Sequence, residues 1–157
     1  MNKPYIKKWH LIVEIVSYVL ILAAIIFGII MTCTIEGEVP THWDMSGNVD
    51  AYGSPASMLI LPIIMLITNI LVSATVHFMP AKSWNMPFKP KPGRELIIFS
   101  DMVGMMVWME FVIALFTLIM TIWFFNFVIC MIGTVALVVG IFAILIAGIV
   151  MAVKHNK

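Results

Sequence analysis

Charge is what this chain has least of. Only 11% of its 157 residues are Asp, Glu, Lys or Arg, against about a quarter in ordinary soluble domains. That shortage nearly excludes a water-soluble monomer. A net charge of +1 offers no basic field for nucleic acid, which is not expected as a partner. Two cysteines, Cys33 and Cys130, cannot build a disulfide framework, and two free thiols are the simpler expectation. No long polar or low-complexity stretch suggests disorder. The period-two alternation of a membrane β-barrel strand is also missing.

Long apolar runs are what the chain has. Hydrophobic residues make up 62% of it, gathered in four stretches at about 11–33, 58–79, 103–125 and 127–153. About 20 residues cross a bilayer core, and in lipid a segment must satisfy its own backbone hydrogen bonds. The reading is therefore a single all-α, polytopic membrane domain of four transmembrane helices, whose first partner is the lipid bilayer. The first run is too long for a signal peptide and lacks a small-x-small cleavage site, so it is expected to stay as an anchor.

Lysine and arginine set the orientation. Lys3, Lys7 and Lys8 precede the first run. Lys82, Lys89, Lys91 and Arg94 fall in the second connection (80–95), and Lys154 and Lys157 follow the last run. The first connection (34–57) and the turn near Asn126 have none. Positive residues stay in the cytoplasm, which puts both termini there and makes this a multi-pass protein of the cell membrane. The proline-bearing 80–95 segment reads as a stiff basic strap at the headgroups, with Trp84 and Phe88 dipping into that interface.

Polar residues inside the runs are the first candidates for function. Asn69, Ser73 and His77 recur every four residues, share one helix face and should look into the bundle. Glu14, Asp101 and His77 are expected near the cytoplasmic interface, whereas Glu110 lies deeper, where burying a charge is expensive. Desolvation there favours the neutral acid. Gly133, Ala136, Gly140, Ala143 and Ala147 form a small-residue stripe on the fourth helix. It should face another helix, within the chain or in a second copy, so a homo-oligomer is open. The 14 Met are expected to fill gaps rather than bind copper.

The first connection is the distinctive loop. Ser46-Gly47-Asn48 has turn chemistry, and Ser54-Pro55 is an N-cap and first-turn pair for the second helix. The loop should be ordered and folded back over the outer mouth of the bundle. His42, Asp44 and Asp50 form a candidate site for a divalent metal; alternatively Asp50 orients the His42 ring. Glu36, Glu38, Asp44 and Asp50 without one cation would attract a cationic peptide or an ion.

Pro40-Thr41-His42-Trp43, then Gly47, Asp50 and Tyr52-Gly53-Ser54, set between a first and a second membrane helix, resemble the N-terminal membrane domain of the SdpI-like family. The resemblance covers roughly residues 11–79. It implies a bacterial integral membrane protein related to immunity and signalling proteins. The carried-over residues Pro40, His42, Gly47, Asp50, Tyr52, Gly53 and Ser54 have no assigned chemistry. The chain departs from the family at Pro55, where Lys is frequent, and its second half lacks the namesake's Asn/Arg-Thr motif. Three readings follow: a protective protein binding a peptide or ion at the outer loop, a small proton-coupled transporter or permease subunit using Glu110, and a membrane metalloenzyme using His42 with Asp44 or Asp50. No convincing nucleophile–base pair is present, so the enzyme ranks last.

Overall fold

A computed structural model describes residues 3–157. Four long helices dominate: α1 (Lys8–Thr34), α2 (Ile60–Phe78), α3 (Glu95–Ile122) and α4 (Phe127–His155). All four, counting the 3₁₀ turn Pro55–Leu59 that leads into α2, are long and apolar enough to span a membrane. Between α1 and α2 lies an antiparallel hairpin of β1 (Val39–Trp43) and β2 (Val49–Gly53). One end of the bundle gathers the terminal segments and the 79–94 connection, and is called the basic end. The other carries the hairpin and the α3–α4 turn.

The central helix is α3, which packs against α1, α2 and α4, while α1 also packs on α2. Its start differs from the expectation at 103. The helix begins at Glu95, just after Gly93 turns the chain at φ +81°. Ile98, Phe99 and Ser100 are already buried, so the polar pair Ser100-Asp101 lies within the helix rather than marking a boundary. Asp101 consequently sits inside the helix, not at its start.

On α1 the buried positions are His10, Glu14, Ser17, Ile21, Ala24 and Gly28, a stripe of steps four and three. Small residues along it permit close approach: a Cβ on Gly28 would meet the Leu59 side chain at 2.8 Å. The α4 stripe splits in two. Gly133, Gly140 and Gly148 face α3, against Met120, Val112 and Met105. Ala136, Ala143 and Ala147 are exposed, so within the chain the expected stripe meets another helix only through Gly133 and Gly140. Each residue turns the helix by about 100°, so Ala136 and Ala143 each stand about 60° to one side of the glycine three positions before them, off the contact with α3. Asn126 caps α4 by accepting from the Ile129 amide at 3.0 Å.

The second connection folds back into the protein. Trp84 is buried, edge-on to Tyr5 and Phe99 with ring centroids 6.0 and 6.2 Å away, instead of lying in the lipid interface. Lys3 Nζ donates to the carbonyls of Val76 and Met79 at 2.8 and 2.7 Å, closing the C-terminal end of α2. At the far end of the sequence Asn156 accepts from the Lys91 amide at 2.7 Å and donates to the Lys89 carbonyl at 3.2 Å. The strap is thereby tied to both terminal segments. Cys33 and Cys130 are free thiols.

Candidate functional site

A polar ladder runs into the bundle from the basic end, between α1, α2 and α3. Its first rung is Glu14 on α1, whose carboxylate oxygens lie 3.0 and 2.9 Å from His77 Nε2 on α2. The helices are antiparallel, so four residues further along α1 and four residues back along α2 give the next rung. There the Tyr18 hydroxyl donates to Ser73 Oγ at 2.8 Å. Ser73 in turn donates to Glu110 Oε1 on α3 at 2.8 Å. Asn69, one turn further along α2, donates its amide to the Glu110 backbone carbonyl at 3.3 Å.

Glu110 is 0% exposed and so is Asn69. Glu110 Oε2 and Asn69 Oδ1 are both buried without a hydrogen-bond partner among the described residues. Buried polar atoms are nearly always paired, so two free acceptors on adjacent side chains form an unusual spot. Toward the hairpin end the polar groups behave differently. Thr117 and Thr121 donate to the carbonyls of Ile113 and Thr117 in their own helix, at 2.7 and 2.8 Å. The interhelical polar contacts therefore lie between Glu110 and the basic end, as a bonded Tyr18–Ser73–Glu110 chain and, one turn away, the Glu14–His77 pair.

The Asn69–Ser73–His77 face looks inward, as expected, and meets Glu14 and Glu110. Tyr18 is the member the sequence reading missed. Its signal was its place four residues after Glu14, on the same helix face. Asp101 is apart from this ladder: it pairs with His155 Nδ1 at 2.7 Å, tying α3 to the end of α4. His10, also missed, is fully buried, and its Nδ1 accepts from the Lys7 amide at 3.0 Å.

The loop residues form the hairpin. His42 Nδ1 lies 2.6 Å from Asp50 Oδ1, at a point where the strand register is irregular. Asp44 goes elsewhere. Its Oδ1 accepts from the amides of Ser46 and Asn48 at 2.8 Å each, and its Oδ2 from the Asn48 side chain at 3.0 Å. The turn it holds places Gly47 at φ +85°, a conformation that favours glycine. Pro40 pairs with Tyr52, and Gly53 lies so close to Thr41 that a Cβ there would approach its methyl to 3.0 Å. The motif residues thus have hairpin-building roles. The expected three-ligand metal set is not assembled: among the described residues no three His, Cys, Asp or Glu side chains gather as a metal site. Trp43 packs edge-on to Phe124, 6.2 Å between centroids, and seats the hairpin on the α3–α4 turn.

The Asn48 side-chain amide, helped by the backbone amides of the turn, holds the Asp44 carboxyl below the usual carboxylate range. A lowered folded value means the contribution exists above the unfolded pKa of about 3.9 and vanishes as pH falls through the folded one. Asp44→Ala should accelerate amide hydrogen exchange across residues 44–48 at neutral pH, and acid should do the same to the native chain. Equal exchange in the variant and the native protein would show that the turn does not need this carboxylate.

The architecture defines a four-helix, membrane-spanning protein with a polar interior at one end. A family model described as "Domain of unknown function (DUF1648)" matches residues 19–66, from within α1 through the hairpin into α2. No curated protein and no solved structure matches the chain.

Proposed function

We propose that the chain is a small proton-coupled transporter or permease subunit of the cell membrane, with Glu110 as its proton-carrying group. The observation that carries this reading is the fully buried Glu110 carboxyl, with one oxygen held by Ser73 and the other unspent. Intramembrane ionisable residues mark proton and substrate paths more than scaffolding. With both termini cytoplasmic by the lysine distribution, the ladder opens to the cytosol. A proton delivered to Tyr18 passes along the Tyr18 and Ser73 hydroxyls, each releasing one hydrogen and receiving another, and comes to rest on Glu110; the Glu14–His77 pair stands one helical turn before Tyr18 on the basic side. The test is proton flux into proteoliposomes under an imposed pH gradient, followed by an internal pH dye. Flux should be lost in Glu110→Gln; undiminished flux removes Glu110 from the mechanism.

A second reading rests on the hairpin, in keeping with the SdpI-like resemblance. The family match includes it, and it is ordered. In the neutral ring, donation from Nδ1 to Asp50 leaves His42 Nε2 as a free acceptor on a 69% exposed side chain. An acidic hairpin of this kind suits a cationic peptide or an ion, as an immunity protein would need. Expression should raise a sensitive cell's tolerance to a membrane-active cationic peptide, and His42→Ala or Asp50→Ala should cancel the gain. A well-expressed native chain that gives no tolerance would dispose of this reading.

A further inference from the structure

Helices α1 and α4 both pack on α3, and between them at the basic end lies a lateral cavity of about 620 Å³. This volume is in the range of small-molecule sites. Its walls sort by polarity. Lys7, Asp101 and His155 lie at the basic end, and Trp9, Trp108 and Ile144 line the apolar remainder. The cavity is therefore amphipathic along the bundle axis, with its polar mouth at the level where headgroups sit in the adjoining leaflet.

The polar side chains at that mouth divide between a hydrogen-bonded pair and an unpaired lysine. Asp101 is engaged by His155 at 2.7 Å. Lys7 is exposed and has no carboxylate partner among the described residues. Gly104 forms part of the wall, where a Cβ would meet the Trp9 ring at 3.0 Å and His10 Nε2 at 3.6 Å. His10 Nδ1 is an acceptor, so its Nε2 carries the hydrogen of the neutral ring. That Nε2 is buried and has no acceptor among the described residues. It lies three residues beyond Lys7 on the same helix, about 4.5 Å deeper in the leaflet. His10 itself is sealed behind Trp9 and does not line the cavity, but an unpaired cation at the mouth and an apolar slot beyond it match the phosphate and acyl chain of one lipid molecule.

We propose that this groove binds a single anionic phospholipid, its phosphate on Lys7 and one acyl chain between Trp9 and Trp108. Basic pockets between membrane helices recognise anionic headgroups in this way. The site is independent of the Glu110 ladder, since it lies between α1 and α4 rather than between α1 and α2.

Native mass spectrometry of the full chain, released from nanodiscs of equal phosphatidylglycerol and phosphatidylcholine, tests it. The native protein should retain one phosphatidylglycerol in preference to phosphatidylcholine. Lys7→Gln should reduce that preference about fivefold, as expected for one lysine near a membrane surface. Ala147→Trp, which fills the groove from an exposed position on α4, should abolish retention of both lipids while the thermal unfolding of the helices is unchanged. Equal retention of the two lipids by the native chain, an unaltered preference in Lys7→Gln, or a lipid-free dimer would each overturn the proposal. Should Ala147→Trp unfold, the Lys7→Gln comparison decides alone.

Discussion

Replacing Glu110 with Gln is expected to reduce proton flux to the rate of protein-free vesicles while the bundle stays assembled. The amide keeps an acceptor oxygen for the Ser73 hydroxyl, which lies 2.8 Å from Oε1, so the three-helix contact survives. What is lost is the carboxyl's ability to take up and release a proton. Interhelical hydrogen bonds in membranes are worth about 0.6 kcal/mol on average, so stability should change little. Glu110→Leu is the informative contrast. It strands the Ser73 hydroxyl in a buried site, at a cost of about 1–3 kcal/mol, and so should lower thermal stability as well as flux. Tyr18→Phe removes one donor from the ladder and should slow transfer without ending it. If the carboxyl served only to bind helices, Glu110→Gln and the native chain would conduct alike.

Gly148→Ala is expected to be the most damaging single-methyl change on α4. The added carbon would stand 2.8 Å from Met105 Cγ and 2.9 Å from Met105 Cβ. The second of these atoms is fixed to the α3 backbone, so the side chain cannot simply swing away. Overpacking of this kind costs about 1–3 kcal/mol, and α4 has little else to hold it because its main packing is on α3. Gly140→Ala supplies the control, since its new carbon would meet only Val112 Cγ1 at 3.3 Å. Thermal unfolding in detergent should show Gly148→Ala clearly less stable than Gly140→Ala. Equal midpoints would mean that the glycine contact line does not position α4.

The membrane spans were legible because lipid imposes a coarse rule on any segment that crosses it: length and apolarity. The inward face of α2 was legible for a similar reason, since Asn69, Ser73 and His77 repeat at the helical period. Other features depended on which helices become neighbours, and no periodicity carries that. Tyr18 becomes part of the Glu110 site only because α1 lies antiparallel to α2 in a register that opposes Tyr18 to Ser73. The start of α3 was obscured by Ser100 and Asp101, polar residues that end an apolar run in sequence but lie inside the helix in space. Trp84 was assigned to the lipid surface because a tryptophan near basic residues usually sits there. Its burial follows from the return of the strap onto Tyr5 and Phe99, a long-range contact. The hairpin was read as an ordered turn without strands, since Pro40 sits in a five-residue run that offers little strand signal.

The central position of α3 has a consequence for how the protein is made. When the first two helices have left the ribosome, Glu14 can already meet His77, but Ser73 and Asn69 still lack the Glu110 groups they bond in the finished bundle. Until the third span enters the bilayer, those side chains face lipid or find temporary partners. The early biosynthetic intermediate is thus the form most open to membrane quality-control proteases, and a delay in inserting residues 95–122 would be felt as lost yield before any effect on the mature protein.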